Sequence, residues 1–203
     1  ASLKNKEKDL AEVVLNNFKK YAGIPVVNME SATGHPLQAL ADAVTMEENK
    51  VSHKPKVVLS WAPHPKALPH AVANSFVEMM QLQDADFVIT HPEGYELDTD
   101  ITKNSKIENN QEKALENADF VYVKNWSSFK EYGEVMISDP EWMLTADKMK
   151  LTNNGKFMHC LPVRRNVIVA DEVIDSANSI VIQQANNRTY SAQIVLKKIL
   201  ENL

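Results

Sequence analysis

Six short apolar runs recur along the chain, and an amphipathic or polar stretch separates each from the next. The runs are "IPVVNM" (24–29), "KVVLSWA" (56–62), "DFVITHP" (86–92), "DFVYVKNW" (119–126), "KFMHC" (156–160) and "SIVI" (179–182). Most are apolar throughout rather than on alternate positions. A strand of that kind is buried on both faces, which implies a parallel sheet with helices on either side. The stretches between them fit those helices. "NKEKDLAEVVLNNFKKYAG" has helical apolar spacing and ends on Gly23, a natural C-cap. "HPLQALADAVTMEENK" and "LPHAVANSFVEMMQLQ" each carry a proline near the start, where a helix tolerates it. "NNQEKALENA", "DPEWMLTADKMKLT", "DEVID" and "RTYSAQIVLKKILENL" complete the set. The predicted fold class is a doubly wound α/β sheet. The longest predicted loop runs over 127–139, a length that in a compact domain points to function or mobility.

Composition narrows the function classes. The 203 residues are 44% hydrophobic and 24% charged, as in an ordinary globular protein. No apolar run approaches the ~18 residues of a membrane span, and "ASLKNKEKDL" lacks the apolar core of a signal peptide. A single cysteine fits a reducing, cytoplasmic setting. A net charge of -5 argues against nucleic acid as the main partner. The five glycines (23, 34, 94, 133, 155) are too dispersed for the Gly-rich turn of a nucleotide-binding oxidoreductase. His64, His91 and Cys160 lack a compact metal-ligand spacing, so no metal and no cofactor are expected. Only three arginines occur, Arg164, Arg165 and Arg188, all in the last forty residues. Arginine suits bidentate recognition of carboxylates and phosphates, so the cluster is a lead.

In a doubly wound fold ligands bind beyond the carboxyl ends of the strands. Nearly every unusual residue of the chain falls there. His35 and Gln38 open a helix three residues apart, on one face, beside backbone N–H groups that favour an anion; the plainer reading is an ordinary helix cap. Glu30 follows a strand and could pair with an amine, or be a solvated loop carboxylate. His64 stands between two prolines and could read a carboxylate, or be an unremarkable loop residue. Lys124 lies near Trp126 as a cation by an aromatic wall, or snorkels at a strand end. Cys160 adjoins His159, but neighbours on a strand point to opposite faces, which disfavours a thiolate–imidazolium pair. A contact role for Cys160, holding an amine, is the better expectation.

"HPLQALAD" and "FMHCLP" together resemble the His-Pro-x-Gln and His-Cys-Leu-Pro boxes of the aspartate and ornithine carbamoyltransferase family. "NNRTYSAQIVL" is similar to the Asn-Arg segment before that family's last helix. "ESATGHPLQ", "WAPHPKALPHAVANSF", "THPEGYEL", "KNW" and "HCLPVRRN" resemble the subgroup acting on N-succinylornithine or N-acetylornithine. Ordinary ornithine enzymes carry an Asp-Gly-x-Asn-Asn segment where "WAPHP" stands. The resemblance spans essentially the whole chain. It implies that His35 and Gln38 bind the carbamoyl group of carbamoyl phosphate and polarise its carbonyl, with Arg188 at the same ligand. Cys160 and the Leu161 carbonyl would orient the attacking δ-amine. Glu30, His64, Lys124 and Arg165 would bind the N-acylornithine. Arg165 is favoured over Arg164 by the family pattern. The implied reaction is direct carbamoyl transfer in arginine biosynthesis, with no covalent intermediate.

The resemblance also carries two departures. No Ser-x-Arg-Thr-Arg loop can occur in a chain whose arginines all lie near its end, and that loop forms most of the family's phosphate site. The expected organisation is therefore a fragment, inactive alone. Residues 1–34 would be a remnant of the carbamoyl phosphate domain and 35–50 an interdomain helix. Residues 51–183 would form the acylornithine-binding domain, with 184–203 packing back on the N-terminal domain. The intact parent would be a homotrimer. Gly34 stands before the His-Pro box where arginine is expected, which removes a side chain at the anion site. The alternatives are a non-catalytic ligand-binding or assembly module, or an ordinary ornithine carbamoyltransferase.

Overall fold

A computed structural model describes residues 3–202. The N-terminal segment holds α1 (Lys6–Leu10) and α2 (Val13–Tyr21), and α3 (Pro36–Asn49) follows it. Then come β1 (Lys56–Trp61), α4 (Ala71–Met80), β2 (Asp86–Thr90), α5 (Thr99–Thr102), β3 (Lys106–Ile107), α6 (Gln111–Leu115) and β4 (Phe120–Lys124). A 3-10 turn (Pro140–Trp142), α7 (Ala146–Met149), β5 (Lys156–Met158), α8 (Asp171–Ile174) and α9 (Val181–Leu200) close the chain.

The five strands form one sheet in the order β3-β2-β1-β4-β5, and every pairing is parallel. Alternate residues of one strand feed two separate cores, as the pleat requires. Val57, Leu59 and Trp61 of β1 and Phe120 and Tyr122 of β4 face α3 and α4, meeting Met46, Phe76, Val77 and Met80. Phe76 stacks on Tyr122 with ring centroids 4.5 Å apart. Val58, Val121 and Val123 face the other way, against Ala114 and Leu115 of α6, Phe157, Val169 and Val173. The expected doubly wound parallel sheet is present.

Four local expectations are corrected. Residues 24–29 form no strand, because none of the five strands lies beside them to complete a backbone ladder. The run 179–182 makes a single bridge, Ser179 to Phe157, before the chain turns into α9 at Val181. The helix expected over 139–152 is broken: Leu144 donates its N–H to the Ile168 carbonyl at 3.0 Å and accepts from Ala170 at 2.9 Å. The first helix divides at Glu12, whose left-handed φ of 49° ends the helical path. Its carboxylate accepts from the Ser31 hydroxyl (2.6 Å) and from the Thr33 N–H (2.9 Å) and hydroxyl (2.5 Å). The short edge strand β3 has no counterpart in the sequence pattern, since its two exposed residues make no apolar run.

The chain moves from β1 outward through β2 to β3, then returns to place β4 on the other side of β1. The sheet thus reverses direction between β1 and β4. The crevice at the carboxyl ends of two such strands is where open α/β sheets bind ligands. Helices α3 and α9 pack side by side and border this rim: Ser191 donates to the Leu37 carbonyl at 2.9 Å and Asn187 to Thr45 at 2.9 Å. Among the described residues no helix is long and apolar enough to cross a membrane.

Candidate active site

The crevice is built from the ends of β1, β4 and β5 and the start of α3. His35 caps α3 without using its side chain; its backbone N–H donates to the Ser75 hydroxyl at 2.8 Å. The ring is buried, and Nδ1 has no partner among the described residues. Burial lowers its pKa; Arg188 and Lys124 push the same way and Glu30 opposes them, so the imidazole is neutral at pH 7. Gln38, one turn on, donates Nε2–H to Asp42 Oδ1 at 2.7 Å, which leaves its buried Oε1 unpartnered. Buried polar atoms are normally satisfied, and an orphan costs about 1–3 kcal/mol. Two orphans on one helix start mark a place for a polar ligand. His35 and Arg188 also line a common groove of about 290 Å³ with Met29, Leu37 and Thr189.

Lys124 ends β4 next to the carboxyl end of β1, paired in register with Trp61. Its charge is felt by His35, His64, His159 and Cys160, which places one cation at the centre of the rim. Burial raises the Cys160 thiol, Lys124 opposes that, and the thiol stays protonated. His159 and Cys160 lie just past β5 rather than within it. His159 Nδ1 accepts the Leu161 N–H at 2.9 Å, so Nε2 carries the proton, buried and unpartnered among the described residues. Burial, aided by Lys124 and His64, depresses the His159 pKa to about 3. A neutral imidazole whose Nδ1 is tied to Leu161 is no base for the thiol. Leu161 itself has φ 48°, a left-handed conformation rare for a branched residue. Such strain collects where a backbone group must be aimed.

The two adjacent arginines take different partners. Arg164 Nε donates to His64 Nε2 at 3.1 Å. That nitrogen must therefore be bare, and Nδ1–H donates to the Lys66 carbonyl at 2.8 Å. Arg165 instead pairs with Asp171 and Asp175, both in or next to α8. Arg165 is thus paired with two carboxylates, while Arg164 contacts His64. Glu30 is exposed and lines a second groove, of about 530 Å³, with α1 and α2, although its charge reaches His35. Among the described residues no group of acidic, histidine or cysteine side chains could hold a metal ion.

Sequence reasoning overlooked Asp42, Tyr122 and Gln184. Asp42 is fully buried and accepts from both Gln38 Nε2 and Gln184 Nε2 at 2.7 Å. Its spacing of four from Gln38 on one helix was the available signal. Gln184 was hidden, because its partners Asp42 and His159 lie 142 and 25 residues away in sequence.

Known proteins agree with this architecture. A family model described as "Aspartate/ornithine carbamoyltransferase, Asp/Orn binding domain" matches residues 69–199. The N-succinylornithine carbamoyltransferase of Bacteroides fragilis is 53% identical over 205 residues, covering 100% of this chain and 64% of that protein. The N-acetylornithine carbamoyltransferase of Xanthomonas campestris pv. campestris is 36% identical, covering 95% of this chain and 63% of that protein. The crystal structure of an acetylornithine transcarbamylase complexed with acetylcitrulline superimposes with a TM-score of 0.86 at 34% identity, over 96% of this chain and 64% of that one. The chain spans a little under two thirds of the length of the curated relatives it matches.

Proposed function

The chain belongs to the aspartate/ornithine carbamoyltransferase family, and from that membership we propose that it forms the amino-acid-binding part of an enzyme that carbamoylates an N-acylated ornithine. The observation that carries this reading is the crevice between β1 and β4. It gathers a cation (Lys124), an Arg–His pair (Arg164, His64), a half-buried thiol (Cys160) and two orphaned polar atoms at the start of α3 (His35 Nδ1, Gln38 Oε1).

The carbamoyl group of carbamoyl phosphate sits at the start of α3, where His35 and the α3 backbone face its carbonyl oxygen. Gln38 Oε1 accepts from its amino group, since Nε2 is already given to Asp42. Arg188 meets the phosphate side of the groove. The neutral δ-amine of the acylornithine is aimed by Cys160 and the Leu161 carbonyl. Its nitrogen bonds to the carbamoyl carbon, the oxyanion forms beside His35, and the C–O bond to phosphate breaks as phosphate leaves with the amine's proton. Positioning and electrostatic stabilisation account for the rate, and no nucleophilic side chain takes part. Lys124, Arg164 and His64 hold the substrate's carboxylates; Glu30 lies at the edge of the site. In this reading residues 1–34 belong to the carbamoyl phosphate domain, 35–50 cross between domains, and 51–183 bind the acylornithine. The enzyme would work as a cytoplasmic trimer.

Calorimetry tests the proposal. N-succinyl- or N-acetylornithine should bind more tightly than ornithine, and Arg164→Ala should weaken that binding by about 1–3 kcal/mol. Arg165→Ala should leave it unchanged. Equal affinity for ornithine and its acylated forms would overturn the substrate class. Product formation by the 203 residues alone should be negligible; measurable transfer would show that they hold a whole site.

A further inference from the structure

The buried carboxylate of Asp42 joins the two boxes that make up the site. Its Oδ1 accepts the Gln38 Nε2–H and the Gln184 Nε2–H, each at 2.7 Å. Gln184 then turns its Oε1 to the backbone N–H of His159, at 2.9 Å, and the His159 ring accepts the N–H of Leu161, also at 2.9 Å. An unbroken hydrogen-bonded path thus runs from Gln38 on α3, through α9, to the Leu161 backbone after β5. Asp42 Oδ2 and the Tyr122 hydroxyl are near each other and buried, with Cys160 beside the hydroxyl.

We propose that Asp42 is a positioning residue that fixes the Gln38 amide and the His159–Leu161 backbone relative to each other. The proposal rests on the carbamoyltransferase reading for its functional half. Oδ1 accepts from both amides, and a proton on the group sits on Oδ2, so both glutamines present their nitrogens to Oδ1. Gln38 Oε1 is thereby turned outward as an acceptor for the carbamoyl amine, and Gln184 Oε1 toward the segment that aims the δ-amine. An apolar residue at 42 would let each amide flip independently. The donor and acceptor halves of the reaction would lose their common reference.

The groups facing Asp42 are Arg188 from α9, Tyr122 from β4, Cys160 from the segment after β5, and the uncharged Gln38 and Gln184. Burial raises the Tyr122 hydroxyl and the Cys160 thiol, so both stay protonated at neutral pH. Asp42 itself is raised to about 7 by burial, against the hydrogen bonds of Gln184 and Gln38. The network therefore carries a titration of its own.

Isotope-edited NMR on the chain reads the coupling directly. Asp42→Ala should move the side-chain amide signals of Gln38 and Gln184 together with the backbone amides of His159 and Leu161. Asp42→Asn, which keeps an acceptor in place, should largely preserve all four. In the unmodified chain the His159 and Leu161 amides should also follow a midpoint near pH 7, absent in Asp42→Asn. His159 and Leu161 amides that ignore Asp42→Ala, or a midpoint that survives Asp42→Asn, would overturn the proposal. Should Asp42→Ala fail to fold, Gln184→Met decides: it should move His159 and Leu161 and spare the Gln38 amide, and the reverse pattern refutes the path. For the functional half, N-succinyl-L-ornithine should bind about fivefold more weakly to Asp42→Ala than to Asp42→Asn, and equal affinities would refute it. An unmodified chain that binds no N-succinyl-L-ornithine removes the substrate reading, while the amide shifts still decide whether Asp42 couples the boxes.

Discussion

Phe18 and Phe76 are both aromatic residues on amphipathic helices, and they end in opposite surroundings. Phe76 is fully buried between Tyr122 and Phe87, with ring centroids 4.5 and 6.0 Å away. Phe18 is 62% exposed, as are its neighbours on α2, Val14 at 71% and Tyr21 at 73%. From Leu3 to Gly34 not one residue is buried, whereas β1 and β4 hold almost nothing that is not. Helical spacing of apolar residues states only that a face exists. Whether it is buried depends on a partner surface, and a helix as short as α2 is marginal in water without one.

The largest expected contrast follows from that pair. Phe76→Ala should cost about 3–5 kcal/mol in urea denaturation, and Phe18→Ala close to nothing. A comparable loss for both would show that the N-terminal segment and the sheet unfold as one unit.

Next in size is a pH effect of groups packed around the sheet and absent from the N-terminal segment. His159, held at about 3, stays neutral when folded but gains a proton when unfolded, so its contribution is lost as pH falls below about 6.5. His35, His70 and His91, lowered first by burial, act in the same direction. Asp42 has the opposite sign: its raised pKa means the folded form keeps a proton that the unfolded form gives up between about 4 and 7. Acidification over that window therefore strengthens the fold through Asp42 while weakening it through His159. Each contribution is on the order of 4 kcal/mol across its range. Asp42→Asn should remove the compensating half and make stability fall more steeply from pH 6.5 to 4. An unchanged slope by chemical denaturation would contradict the assignment.

A smaller effect concerns the contact between the regions. Lys6 donates to the Phe129 carbonyl at 2.5 Å and lies 4.1 Å from that ring's centroid, and the Tyr132 hydroxyl donates to Asp9 at 3.1 Å. These hold the 127–139 loop against α1. Tyr132→Phe should cost about 0.5–1.5 kcal/mol. Hydrogen exchange should speed up in α1 and in the loop but not in β1 or β4. Faster exchange in the strands would mean that α1 braces the sheet itself.

Smallest should be Gly34→Arg. An added Cβ would meet Asn28, Ser31 and Ser75 no closer than 3.5 Å, so the backbone does not require glycine there. Stability should change by less than about 0.5 kcal/mol, while affinity for inorganic phosphate should rise. A large loss of stability would show that the turn before α3 is tighter than these distances imply.

The sheet was legible because its signal is local: four of the six apolar runs became strands, in an order expected for a doubly wound fold. The run 24–29 reads as a strand with equal clarity, yet strand formation needs a neighbour, and sequence carries no record of who sits beside whom. The site divides in the same way. His35, Gln38, Lys124 and Cys160 stood out from their places at strand ends and helix starts, and Leu161 only from the family resemblance. Arg164 and Arg165 were not separable, since adjacent residues differ only in the direction the backbone gives them. Asp171 and Asp175 captured one; His64, a hundred residues away, met the other.

By itself the sequence determined which segments can be strands and helices, and which chemistry lies at one rim, because apolar periodicity and turn chemistry act over a few residues. Only the tertiary structure decided that Asp42 and Gln184 tie the two boxes together. It also decided that Arg164 is the arginine facing His64 and that the apolar face of α2 stays open. Those outcomes depend on contacts between residues far apart in the chain, and no local pattern encodes them.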